Sequence, residues 1–253
     1  MQKRGQVSVF IIIGVVAIFA VMFVFLLVRS FQDKAREITN PQEYLKSQLM
    51  DVKKAVDRCI TDESKKALNK LSWQGGHFNP VRYVTYNGNK TSVLCAKIVS
   101  DRPCFNMMFT KSNIDVQLQP FLERNVKSCM DDSFEAFRNK DYELTTGVFN
   151  LNSEFSDTAL LVRVNYPVTL TKGLNTQKQN EFSKETKTNF WKAVSLASAI
   201  INKEATGNPV DVAVLSSSNI LFEIGRTEIN NDDLYLLKSR TTTDPIFYFV
   251  VET

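Results

Sequence analysis

Histidine occurs once in 253 residues, at position 77. A single imidazole excludes the two-histidine metal motifs and leaves room for at most one His-dependent catalytic triad. Glycine (9) and proline (7) are sparse, which excludes collagen-like and low-complexity chains. No Cys-x-x-Cys pair, phosphate-binding glycine loop, dinucleotide fingerprint, His-Glu-x-x-His or Gly-x-Ser-x-Gly elbow occurs. No enzymatic activity and no cofactor are therefore expected. Net charge is absent from most of the chain as well. Five of the 31 basic and one of the 27 acidic side chains lie in residues 1–36, which leaves 26 of each sign in the remainder. A neutral body lacks the basic face that phosphate contacts require, so nucleic-acid binding is not expected. What is present, 43% hydrophobic and 11% aromatic residues, suffices for a packed core.

The most prominent positive feature is an uncharged run, Val9 to Val28. As a helix its 20 residues would extend about 30 Å, the thickness of a bilayer's hydrocarbon core. The expectation is a transmembrane or pilin-like helix over residues 6–29. Its candidate membrane or assembly contacts are Val9, Phe10, Ile11, Ile12, Ile13, Gly14, Val15, Val16, Phe19, Phe23, Leu26 and Leu27. Lys3 and Arg4 before the run balance Arg29, Lys34 and Arg36 after it, so flanking charge does not set its orientation.

Lys3-Arg4-Gly5-Gln6-Val7-Ser8 leads directly into the run. This resembles the class III signal of archaeal type IV pilin-like proteins. The resemblance implies a short cytoplasmic leader (residues 1–5), a peptidase cut between Gly5 and Gln6, and a body outside the membrane. Phe10 stands where that family usually carries Glu, the residue whose ion pair with a neighbour's N-terminus would set register. The departure points to a minor subunit or a signal-anchored protein rather than a major pilin. The placement of Cys59, Gly75-Gly76, Cys129, Tyr166-Pro167 and Phe247–Val251 is similar to a membrane-anchored branch of those proteins. It implies one continuous extracellular domain and adds no activity.

The body reads as α+β: amphipathic helices and an antiparallel sheet. Residues 30–72 are a juxtamembrane stretch and a helix, and 73–253 the extracytoplasmic domain. Apolar residues from Leu45 to Leu71 recur at three- and four-residue spacing after Asn40-Pro41, and Gly75-Gly76 closes that helix. Tyr86-Asn-Gly-Asn marks a turn. Phe121–Arg138 and Phe182–Lys203 read as further helices, and Thr171–Gln179 as a polar linker. Thr158–Leu170, Val212–Leu215, Ile220–Ile224 and Ile246–Val251 read as strands. Val56–Asn69 and Val126–Asn139 share Val, Cys, Asp and Asn at matching places, which fits paired helices or chance.

In an extracytoplasmic body, four cysteines allow two disulfides in three connectivities. Cys59 and Cys129 sit at similar places on two helices, and Cys95 and Cys104 flank a short loop. Those pairings are favoured over a four-thiolate zinc site or free core thiols. Asn89-Lys90-Thr91 is a glycosylation sequon in a turn. The acidic pairs Asp131-Asp132 and Asp232-Asp233 read as a solvated helix face and a turn, since a cation needs more oxygen ligands than one pair supplies. Together these features point to a structural or cell-surface assembly subunit, held in a membrane or filament by homo- or hetero-oligomer contacts of its N-terminal helix. The alternative is a membrane-anchored binding or adhesion module for a surface ligand or partner protein, which a concave pocket with clustered polar groups would favour. A membrane-anchored enzyme would require His77 to lie beside an acid and a Ser or Cys.

Overall fold

The structure, a computed structural model, describes residues 15–25, 40–99 and 102–253. The body opens at Asn40, whose side chain accepts from the Glu43 N–H at 3.3 Å, with Pro41 at the first helical position. Helix α1 (Pro41–Trp73) buries Leu45, Val52, Val56, Ile60, Ala67 and Leu71 along one stripe. It stops where Gly75 and Gly76 enter the left-handed region at φ +62° and +85°. The Gly76 N–H returns to the Leu71 carbonyl at 2.7 Å, a glycine-closed helix end.

A hairpin follows. Asn87 and Gly88, at φ +47° and +78°, turn β1 (Tyr83–Tyr86) into β2 (Asn89–Ala96). After β3 (Phe105–Asn106), Thr110 and Asn113 form a reciprocal capping box that starts α2 (Lys111–Arg138). Next come β4 (Glu143–Thr146), β5 (Asn150–Phe155), β6 (Ala159–Lys172) and β7 (Asn175–Lys187). Helices α3 (Phe190–Glu204) and α4 (Val212–Ser218) precede β8 (Phe222–Ile229), β9 (Asp232–Ser239) and β10 (Phe247–Val251).

The strands form two sheets. One has the order β1-β2-β10-β9-β8, with β3 also paired to β2. The other has β6 at its centre, paired with β4 and β5 on one side and β7 on the other. Helix α1 contacts strands of both sheets, and α2 lies on β4 and β5. One continuous core joins them, from Leu45 and Ile60 of α1 to Leu160 of β6 and Phe249 of β10.

Two expectations are corrected. Among the described residues no helix is long and apolar enough to cross a membrane. The helical segment described within the apolar run is residues 15–25, which rises about 16 Å, roughly half a bilayer core. The run's composition makes a spanning helix chemically possible, but the described helix is too short, so the transmembrane assignment over 6–29 is overturned. Gly5, Gln6, Val9, Phe10, Ile11, Ile12, Ile13, Gly14, Leu26 and Leu27 lie outside the described residues. Secondly, the architecture is α+β, but the larger sheet is mixed: β10 pairs parallel with β2 and antiparallel with β9.

Local assignments also shift. Thr171–Gln179 is no linker, because a two-residue turn at Gly173-Leu174 joins β6 to β7. Residues 182–187 belong to β7, and the helix expected there begins only at Phe190. Val212–Leu215 is helical, since Asp211 caps the Val214 N–H at 3.0 Å. Helix α2 begins ten residues before Phe121 and continues through Pro120.

Candidate functional site

Residues 15–25 are helical and apolar on every side. Val16, Phe19, Val21 and Phe23 are 60–70% exposed, as are their apolar neighbours to similar degrees. A helix apolar all round is ordinarily an enclosed one. Of the contacts predicted from sequence, Val15, Val16, Phe19 and Phe23 fall in this segment.

The four cysteines are paired, Cys59 with Cys129 and Cys95 with Cys104. The first disulfide ties α1 to α2, and the Ser133 hydroxyl lies 3.5 Å from the Cys59 sulfur. The second ties β2 to the segment before β3. Paired thiols leave no ligands for the zinc alternative, and among the described residues no group of three or more His, Cys, Asp or Glu could hold a metal ion.

The single histidine is half-buried behind the glycine turn. Its Nδ1 is 3.0 Å from the Ser92 hydroxyl, and its ring meets Phe109 edge-on at 4.9 Å. Burial lowers its pKa, against a hydrogen bond with the Gly75 backbone. The Ser92 hydroxyl donates to the Gln74 carbonyl, so the imidazole Nδ1 is left to donate to Ser92 rather than take its proton. Ser92 is 2% exposed, and among the described residues no carboxylate hydrogen-bonds His77. This pair closes the turn after α1. One carboxylate of each acidic pair is engaged as well. Asp131 accepts from Lys127 and from the Tyr166 hydroxyl, and Asp233 pairs with Arg226 at 3.3 Å. Asp232-Asp233 begins β9, and the turn expected there lies one step earlier, at Asn230-Asn231. Asn89 opens β2 beside the Asn87-Gly88 turn, while Thr91 of its sequon is fully buried and donates to the Trp73 carbonyl at 3.2 Å.

The sheets differ on the faces turned away from the common core. On the larger sheet Trp73 stacks on Tyr248 at 4.5 Å, with Tyr86 tilted against the same ring at 5.8 Å. Val93, Leu234 and Val250 lie beneath them, and the Arg82–Glu252 ion pair joins β10's end to the start of β1. These rings fill one another's apolar surface.

The smaller sheet instead presents a polar groove of about 600 Å³. Two cross-strand rows form its walls: Asn150, Asn165 and Glu181 in one, Asn152, Arg163 and Ser183 in the other. The row between, Leu151, Val164 and Phe182, is buried toward the core, so the groove floor is backbone. A register shift between Asn165 and Val168 marks its end, and there the Gln179 amide donates to the Glu181 carbonyl at 2.7 Å. Sequence reasoning missed this site because its residues are scattered over β5, β6 and β7. The one available signal was asparagine at alternate positions of a strand, Asn150 and Asn152, where that residue is disfavoured.

Comparison with protein-family models, curated proteins and solved structures finds no match. The functional reading therefore rests on the chain's own residues.

Proposed function

We propose that the protein is a pilin-like structural or cell-surface assembly subunit, in which the N-terminal apolar helix packs against the same helix of neighbouring copies. The observation that carries this reading is the exposure of residues 15–25, whose valine, isoleucine and phenylalanine side chains face outward around the whole helix. Burying a Val, Ile or Phe side chain is worth about 1.5–3 kcal/mol, so several such residues per copy supply a strong drive to associate. Two disulfides support a body placed in an oxidising, extracytoplasmic setting. The Lys3-Arg4-Gly5-Gln6 sequence supports processing of the pilin type, and Phe10 in place of Glu supports a minor subunit.

The test uses the full chain. Sedimentation and negative-stain imaging are expected to find ordered oligomers or filaments, dispersed by the pair Phe19→Glu and Phe23→Glu. Dispersed wild-type particles would overturn the assembly reading. Intact mass reports processing: a native chain starting at Gln6 supports the leader, and one starting at Met1 removes it.

A second reading, a surface binding or adhesion module, is favoured by the polar groove on the smaller sheet. It is compatible with assembly, because the groove and the N-terminal helix involve separate residues.

A further inference from the structure

We infer that the groove on β5, β6 and β7 is a binding site for a neutral saccharide. This rests on the binding-module reading and names its ligand. The first argument is residue choice. Asn150, Asn152 and Asn165 are three asparagines on one face of two adjacent strands, with Asn150 directly opposite Asn165. Asparagine is depleted in strands, and these three are exposed, so they return no packing. A local choice that costs sheet stability without a structural return is characteristic of functional positions.

The second argument is availability. Opposite charges facing each other across strands stabilise a solvated sheet face. Here, among the described residues, no side-chain hydrogen bond or ion pair engages Asn150, Asn152, Arg163, Asn165 or the Glu181 carboxylate. Arg163 and Glu181 lie on the diagonal of the two rows, a separation of roughly 7–8 Å, and point into the same concavity without closing on each other. The bulge that ends the groove is of the kind that re-aims side chains beside binding sites.

The third argument is chemistry. Each sugar hydroxyl both donates and accepts, and vicinal hydroxyls present two such groups side by side. A carboxamide offers a donor and an acceptor in one plane, a guanidinium offers a fork of donors, and a carboxylate accepts twice. Four amides (Gln179 with the three asparagines), one guanidinium, one carboxylate and one hydroxyl around a backbone floor match that pattern. The charge selects among sugars. Within the groove lining one acid, Glu181, balances one base, Arg163, and the rows beyond it carry both signs, Glu154 and Glu185 with Lys178 and Lys187. Glu181 beside Arg163 offsets the guanidinium's pull on a uronate carboxylate, so the balanced groove accommodates a neutral hexose.

Saturation-transfer NMR on the full chain tests this with four separate probes: D-galactose, D-mannose, D-glucuronate and a Ser/Thr-rich hexapeptide. Transfer to galactose or mannose is expected, with glucuronate weaker. The variants are Asn150→Thr with Asn165→Thr, and Arg163→Ala. Threonine suits a strand better than asparagine, so the double variant is expected to keep or raise its melting temperature while losing at least ten-fold in sugar affinity. Lys65→Ala, outside the groove, is expected to leave the signal unchanged. Sugar transfer that survives both groove variants, or glucuronate binding above the hexoses, overturns the proposal. Transfer to the peptide alone overturns the saccharide but keeps a binding module. No transfer from any probe overturns both.

Discussion

The two disulfides close loops of very different length, and this predicts unequal contributions to stability. Cys59 and Cys129 are 70 residues apart, Cys95 and Cys104 only nine. In the loop-entropy description the long closure is worth about 4.4 kcal/mol and the short one about 2.6 kcal/mol. Replacing each pair with alanines also leaves cavities, but three of the four cysteines are buried and the fourth packs on the same core, so that contribution is similar for both. The expected difference is therefore about 1.8 kcal/mol, with the Cys59→Ala/Cys129→Ala variant the less stable. Urea unfolding, followed by far-ultraviolet circular dichroism and by fluorescence, measures it. Trp73 at the end of α1 and Trp191 in α3 report from different regions, so coincident curves establish a single transition. Equal losses, or a larger loss for Cys95→Ala/Cys104→Ala, would show that local packing rather than denatured-chain entropy governs these crosslinks.

Two further substitutions probe single positions. Gly76→Ala places a Cβ 2.0 Å from the Phe109 Cζ at φ +85°, so the loss is expected at about 2–5 kcal/mol, from left-handed backbone strain plus overpacking. The same change in a Phe109→Leu background should cost less, and an undiminished cost in urea unfolding would remove Phe109 from the explanation. Asp115 has a buried carboxylate oxygen without a partner, and burial raises its pKa above the ordinary 3.8, Lys111 opposing and Glu154 adding. A carboxyl with a raised folded-state pKa penalises folding while it is charged, and the penalty fades as pH falls through that value. Asp115→Asn should therefore raise the melting temperature at pH 7.5 and make little difference at pH 3.5. A gain of the same size at both would contradict the electrostatic account.

Much of α1 is legible because its signals are local. Asn40-Pro41 starts it, Leu45 to Leu71 carry the stripe, and Gly75-Gly76 can adopt the left-handed stop. The β1–β2 turn is legible for the same reason, since Asn87-Gly88 tolerates positive φ. Strand β7 is not legible. Of Asn175–Lys187 only Phe182 is apolar, so no alternation announces a strand. It exists because β6 offers it a long antiparallel partner across the Gly173-Leu174 turn. Helix α4 reverses the other way: Val212-Ala-Val-Leu has strand propensity, and the Asp211 cap and its packing on β8 decide for helix.

By itself, the sequence determined that one uncharged run precedes a neutral body, where α1 starts and stops, and that the four cysteines favour two particular pairings. The first two follow from composition, periodicity and backbone preference, properties of neighbours along the chain; the pairings follow from matching places on two helices and from one short loop. Only the tertiary structure decided that the described part of the run is a helix too short to span a bilayer. It alone decided that β10 inserts between β2 and β9, and that Asn150, Asn152, Arg163, Asn165, Glu181 and Ser183 share one concave face. The physical reason is that strand register is a relation between distant segments. The pairing of β5 and β7 with β6 sets which side chains meet, and no local pattern encodes it.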